Sequence, residues 1–190
     1  MLESYYKKRE LDDMGFIDVG ENVKISHNTG IYFPENISLG SNIRIDDFCT
    51  LTGKIRIGNY VHISSHCALY GAGGINFCDF SGLSGRVSIY SVTNDYSGDF
   101  LTNPTVPEIY SRNIFGPVNL EKHSIVGSGS IILPDVTLKE GCAIGALSLV
   151  KDDMPAWKIC LGNPARPILN RSKRILELEK EFMDNINNTV

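Results

Sequence analysis

No apolar run in this 190-residue chain approaches the roughly 18 residues a membrane-spanning helix needs, so no span is expected. Positive charge is also scarce: 18 Lys and Arg stand against 22 Asp and Glu, for a net charge of -4. A protein that holds nucleic acid by displacing its counterions needs the opposite balance. No nucleic-acid partner is expected, and a phosphate-bearing ligand must be met by a few local cations. The five cysteines (Cys49, Cys67, Cys78, Cys142 and Cys160) make no C-x-x-C pair and are odd in number. That argues against a disulfide framework and for a reducing, cytoplasmic setting. The N-terminal stretch MLESYYKKRELDD is charged where a secretion signal would be apolar. What is present is an ordinary globular composition, 42% hydrophobic and 21% charged, in a length that suits one domain.

A period of six residues organises that composition. Val, Ile, Leu or Phe opens hexads at Val19 and Ile25, then at Phe33, Leu39, Ile45, Leu51, Ile57, Ile63, Leu69, Phe77, Leu83 and Ile89. A third block runs through Leu120, Val126, Ile132, Leu138, Ile144 and Val150. The fifth position is small or β-branched, as at Ile43, Cys49, Val61, Cys67, Ser130 and Cys142. Six is neither the helical nor the strand period. It fits a short strand plus a tight corner, with first and fifth side chains inward. Such a unit cannot bury its own apolar side, so the units must stack as coils of a solenoid. Three hexads give an 18-residue coil, which sets Cys49 under Cys67 as interior filler. Five or six coils, about 25–30 Å long at the usual strand spacing, are expected.

The repeat resembles that of the hexapeptide-repeat acyltransferases over residues 16–170. The most specific stretch, IVGSGSIILPDVTLKEGCAIGALSLVKDDMP followed by LGNPARPI, is similar to the galactoside and maltose O-acetyltransferases. VHISSHCALYGAGGINFCDFSGLSGRVSIYSVTNDYSGD looks closer to sugar acetyltransferases of bacterial surface-polysaccharide pathways. The resemblance implies an all-β, left-handed parallel β-helix with a short N-terminal segment and a C-terminal helix. It also implies a homotrimer, acetyl-CoA as donor without a metal, and a sugar or nucleotide-sugar acceptor. The acyltransferase unit then covers residues 1–170, and an amphipathic helix and tail cover 171–190.

Three interruptions carry information. The hexad opened by Leu69 holds two extra residues in LYGAGGIN. Residues 95–119 lose the period altogether and are rich in Pro, Asn and aromatics, as long functional loops often are; the resemblance makes this loop overhang the active site. After Pro167, Ile175, Leu178, Phe182 and Ile186 mark one face of a helix, read as a cap on the open end of the solenoid.

Stacking by 18 sets Gly127 beside Gly145 and Ser128 beside Ala146, a groove of small residues for a pantetheine arm. By resemblance, Ser128 and Ala146 contact coenzyme A and Arg166 lies near its nucleotide end. Asp152 stands where a Lys is usual in that family, so either Lys151 substitutes or Arg166 carries more of the phosphate contact. Acyl transfer to a hydroxyl or amine needs a base, for which His is suited. The usual loop histidine is matched by Asn94, which cannot serve. His62 is the leading replacement, because the equivalent position one coil on is Gly82. His123 and His66 are the alternatives, and His27 lies far from the groove. Ser64, Asn94, Asp95 and Tyr96 are the expected acceptor contacts. The spacing of His62 and His66 shares a face only on a helix, so zinc is not expected. Two functions are open: an acetyltransferase acting on a sugar hydroxyl or amine, or a degenerate relative serving as a binding or assembly module.

Overall fold

The computed structural model describes residues 4–187, so Met1–Glu3 of the charged N-terminal stretch and tail residues 188–190 lie outside the described residues. The chain winds as a left-handed parallel β-helix of about seven turns, with a short N-terminal region and a C-terminal helix. Each turn lays one strand on each of three faces. On the first, Ile37 pairs with Ile55, Ile55 with Ile75, Ile75 with Val118 and Val118 with Val136. The second face stacks Ile45, Ile63, Leu83, Val126, Ile144 and Cys160 in register. Ile31, Leu51, Leu69, Ile89, Ile132 and Val150 stack on the third.

The hexad openings face inward and are buried, with two exceptions: Val19 is half-buried and Phe33 is exposed. Phe33 is a correction. Ile31 takes the inward place beside Leu51, and the two extra residues of this coil fall after it, in a 3-10 turn at Pro34–Asn36. The coil count is a second correction. A seventh turn opens at Met154 and Cys160, only 16 residues after Leu138 and Ile144, and so escapes an 18-residue rule.

The corners are built from residues with positive φ. Asn42, Tyr60, Phe80, His123, Gly141 and Trp157 occupy one ladder; Phe48, His66, Arg86, Gly129 and Leu147 occupy the next. Ladder residues bond their N–H groups to the coil before, as Phe80 does to the Asn59 carbonyl, His123 to Asp79 and Trp157 to Glu140. Aromatic side chains then stack outside the first corner. Tyr60 lies on Phe80 at 4.8 Å between ring centroids and Phe80 on His123 at 5.3 Å.

Helix α1 (Lys8–Asp13) buries Leu11 against the N-terminal end of the core. Helix α2 (Arg174–Asn187) does not cap the other end, contrary to the reading of its apolar face. Phe182 packs edge-on against Tyr60 and Phe80, and Glu179 reaches Lys122 and His123, so α2 runs back along the flank. The aromatic corner ladder offers it an apolar seat. The antiparallel pair Lys158–Gly162 and Ala165–Asn170 closes the last turn. The aperiodic segment is drawn out as a hairpin, since Val92–Asn94 pairs antiparallel with Asn113–Phe115.

Buried Cys49 and Cys67 donate their Sγ hydrogens to the carbonyls of Ser64 and Ser84, each at 3.2 Å. Burial pushes the Cys142 and Cys160 thiols up, which suits filler and not nucleophiles. Cys78 departs from that reading: it is exposed.

Candidate active site

Between α2 and the outer side of the second face lies a cavity of about 670 Å³. Its floor is a strip of short side chains, Ser64, Gly82, Ser84 and Gly85, that ends at Ser128. The corner aromatics Tyr60 and Phe80 form one wall, and Ile175, Leu178 and Phe182 of α2 form the roof. The helix is fixed there by charge. Glu179 accepts from Lys122 at 2.6 Å and pairs with His123 Nε2 at 2.8 Å. Burial works to raise the Glu179 carboxyl, but the bonds from Lys122 and His123 outweigh it and hold the group below the ordinary range. At the root of α2, Arg171 Nη1 donates to the carbonyls of His123 and Gly141.

His62 lines this cavity and is half-exposed. Its Nε2 lies 2.8 Å from Asp46 Oδ2, and Arg44 Nε donates to Asp46 Oδ1 at 2.6 Å. Asp46 is 15% exposed, and the same two bonds overcome the effect of burial and depress its carboxyl. Neither Asp46 nor Ser84 stands out in the sequence. Counting one coil back from His62, as one counts forward to Gly82, reaches Arg44; Asp46 is two residues beyond, in the row of Ser64 and Ser84. Gly82 is less a vacancy than the spacing implies. A Cβ there would meet the His62 carbonyl oxygen at 3.0 Å, so close stacking of the coils already favours glycine.

Of the other histidines, His123 lines the same cavity, but its ring is already engaged, and His66 and His27 lie outside it. His123 is 6% exposed, stacked on Phe80 and bonded to Glu179. The space that Gly141 leaves beside it is filled by the Trp157 ring, 2.5 Å from where a Cβ would stand. His66 stacks on Phe48 at 5.0 Å, and His27 packs on Tyr6 in the first coil.

Ser128 and Ala146 are both exposed on adjacent coils at the second corner, where Leu147 N–H donates to the Ser128 carbonyl at 2.9 Å. A Cβ on Gly127 would sit 2.5 Å from the Ala146 nitrogen, so that glycine is dictated by backbone stacking. Ser128 and Ala146 thus face outward on neighbouring coils, and Ser128 borders the cavity. Lys151 and Arg166 both contact Asp152, at 3.3 and 3.0 Å. The residue at the usual lysine position therefore ties the two candidate cations together. Asn94, Asp95 and Tyr96 do not join Ser64 at His62 within one chain. They line a separate cavity of about 480 Å³ in the hairpin, with Phe100 and Asn103.

No protein-family model matches the sequence. A dTDP-4-amino-4,6-dideoxy-D-glucose acyltransferase from Escherichia coli is 48% identical over 182 residues, 94% of this chain and 95% of the relative. AntD, an N-acyltransferase from Bacillus cereus solved with dTDP and 3-hydroxybutyryl-CoA, is 46% identical. It superposes with a TM-score of 0.95 over 98% of this chain and 100% of its own. A variant of AntD was solved with dTDP-4-amino-4,6-dideoxyglucose and coenzyme A; it is 45% identical, with a TM-score of 0.95 over 97% of this chain and 100% of its own. These relatives correct the finer resemblance drawn from the C-terminal motif, which pointed to galactoside and maltose O-acetyltransferases. Among the described residues, no helix is long and apolar enough to cross a membrane.

Proposed function

We propose that this chain, which belongs to the hexapeptide-repeat β-helix acyltransferases, moves an acyl group from coenzyme A to the amine of a dTDP-linked amino sugar. The observation that carries this is the agreement of chain-length relatives with the cavity. The relatives are named for, or solved with, a dTDP-4-amino-4,6-dideoxy sugar and coenzyme A. The cavity is lined by His62, whose ring contacts Asp46, and by Ser128. The donor is an acyl-CoA and not acetyl-CoA alone, because a volume of about 670 Å³ with an apolar roof admits larger acyl groups and AntD was solved with 3-hydroxybutyryl-CoA.

His62 is the base. The amine nitrogen bonds to the thioester carbonyl carbon, its proton passes to His62, the C–S bond breaks, and His62 returns the proton to the sulfur, which leaves as the thiol. The hydroxyls of Ser64, Ser84 and Ser128 border the same cavity and supply donors for the oxyanion, where such bonds contribute most. Lys151 and Arg166 meet the nucleotide end of the donor. The protein is a cytoplasmic homotrimer in which the hairpin of one subunit brings Asn94, Asp95 and Tyr96 to the acceptor beside a neighbour's His62. Exposed Phe100, Tyr110 and Phe115 on that hairpin support the assembly.

The test is thiol release from acyl-CoA with two acceptors, the dTDP-linked 4-amino sugar and its 4-hydroxyl counterpart. The amine should turn over and the hydroxyl hardly at all. Preference for the hydroxyl overturns the N-acyl reading, and no release with either favours a binding or assembly module.

A further inference from the structure

Asp46 is held beside His62 by the strand register itself. Arg44 is the rung partner of His62, Ile45 that of Ile63, and the Asp46 N–H donates to the Ile63 carbonyl at 2.9 Å. The carboxylate is therefore fixed at its backbone, largely covered, and engaged through both oxygens. An ionised carboxylate only accepts hydrogen bonds. His62 Nε2 must then carry the ring proton in the neutral imidazole, which leaves the lone pair on Nδ1.

We propose that Asp46 is a positioning residue for acyl transfer. It fixes the His62 ring and tautomer and balances the imidazolium charge formed when His62 takes the amine proton, and Arg44 holds Asp46 in place. This rests on the reading of His62 as the base. In the step itself the N–C bond forms, Nδ1 accepts the amine proton, the C–S bond breaks, and the proton leaves on the coenzyme A thiol. Asp46 gains and loses nothing.

The experiment compares wild type with His62→Asn, Asp46→Asn, Asp46→Glu and the His62→Asn/Asp46→Asn double variant, by thiol release with the amino-sugar acceptor. His62→Asn should lower kcat by about 10²–10⁴-fold. In Asp46→Asn the side-chain amide donates to Nε2, which moves the ring proton to Nδ1 and removes the lone pair; kcat should fall by about 10²-fold or more, as for the Asp of a Ser-His-Asp triad. KM for both substrates should stay within about twofold, since Asp46 acts on a proton transfer and not on binding. Asp46→Glu should recover part of the loss. The double variant should be no slower than His62→Asn alone.

Unchanged kcat in Asp46→Asn beside a collapsed His62→Asn overturns the proposal. So does a double variant much slower than His62→Asn, because Asp46 would then act without His62. Normal turnover in His62→Asn overturns the base reading instead. Melting temperature and coenzyme A affinity on each variant separate a lost site from a lost fold. Arg44→Gln, whose side chain is mostly exposed, is the second variant: a smaller kcat loss at constant KM is expected, and no kcat change counts against the chain of support.

Discussion

Replacing Ala146 with Trp tests the donor groove without touching the core. Ala146 is exposed, so the new ring projects outward, and a surface change of this kind moves stability by only about 0.5 kcal/mol. Coenzyme A at about 100 times its dissociation constant stabilises a binding protein by about 2.7 kcal/mol. For a chain of this size that converts to a rise in melting temperature of about 5–10 °C. Wild type should show that rise; Ala146→Trp should melt near the wild-type temperature and respond to coenzyme A by less than about 1 °C. Gly127→Ala is the informative contrast. Its Cβ would lie 2.5 Å from the Ala146 nitrogen and 2.8 Å from the Ile144 carbonyl oxygen. The coils must part to admit it, at the roughly 1–3 kcal/mol usual for overpacking, so the ligand-free protein itself should melt lower. A full coenzyme A response in folded Ala146→Trp would move the donor site elsewhere and refute the groove.

Docking of α2 should depend on acid. The Glu179 carboxyl is depressed by its partners, so its contribution is complete above the ordinary Glu value of about 4.3 and is lost as pH falls through the lower folded value. Trp157, the one tryptophan of the chain, sits at the root of this helix beside His123 and Lys173; its fluorescence should shift in that acid range in wild type and be shifted already at neutral pH in Glu179→Gln. Ile63→Ala, at a fully buried position of the third coil, should cost about 2–5 kcal/mol in denaturant unfolding, and a loss under about 1 kcal/mol would contradict the inward register. Sedimentation at micromolar concentration should give a trimer; a monomer would leave the hairpin aromatics uncovered and remove the proposed sharing of Asn94, Asp95 and Tyr96.

Much of the solenoid is legible because a period of six leaves few alternatives for residues such as Ile57, Ile63 and Leu69, each inward and buried. Where spacing departs from 18, legibility ends. Phe33 and Ile31 both fit a hexad opening, and only the 3-10 turn at Pro34–Asn36 decides between them. The turn at Met154 and Cys160 comes two residues early and is invisible to the pattern. At the site, rung arithmetic reaches His62, Gly82 and Ser128, because stacked positions share a row. It does not reveal that a side chain from one coil bends to the next, as Asp46 does to His62. Nor can a local pattern tell that the apolar face of α2 seeks the Tyr60–Phe80 corner and not the open end, since that choice is made by residues more than 90 positions away.

In the proposed reaction, donor and acceptor meet in the cavity beneath α2. A crystal structure of this chain with coenzyme A and the dTDP-linked amino sugar tests it most directly. The thiol should lie inside that cavity, between Ser84 and Ser128, with the sugar amine against His62 Nδ1. A thiol found on the first or third face of the solenoid, away from His62, would contradict it.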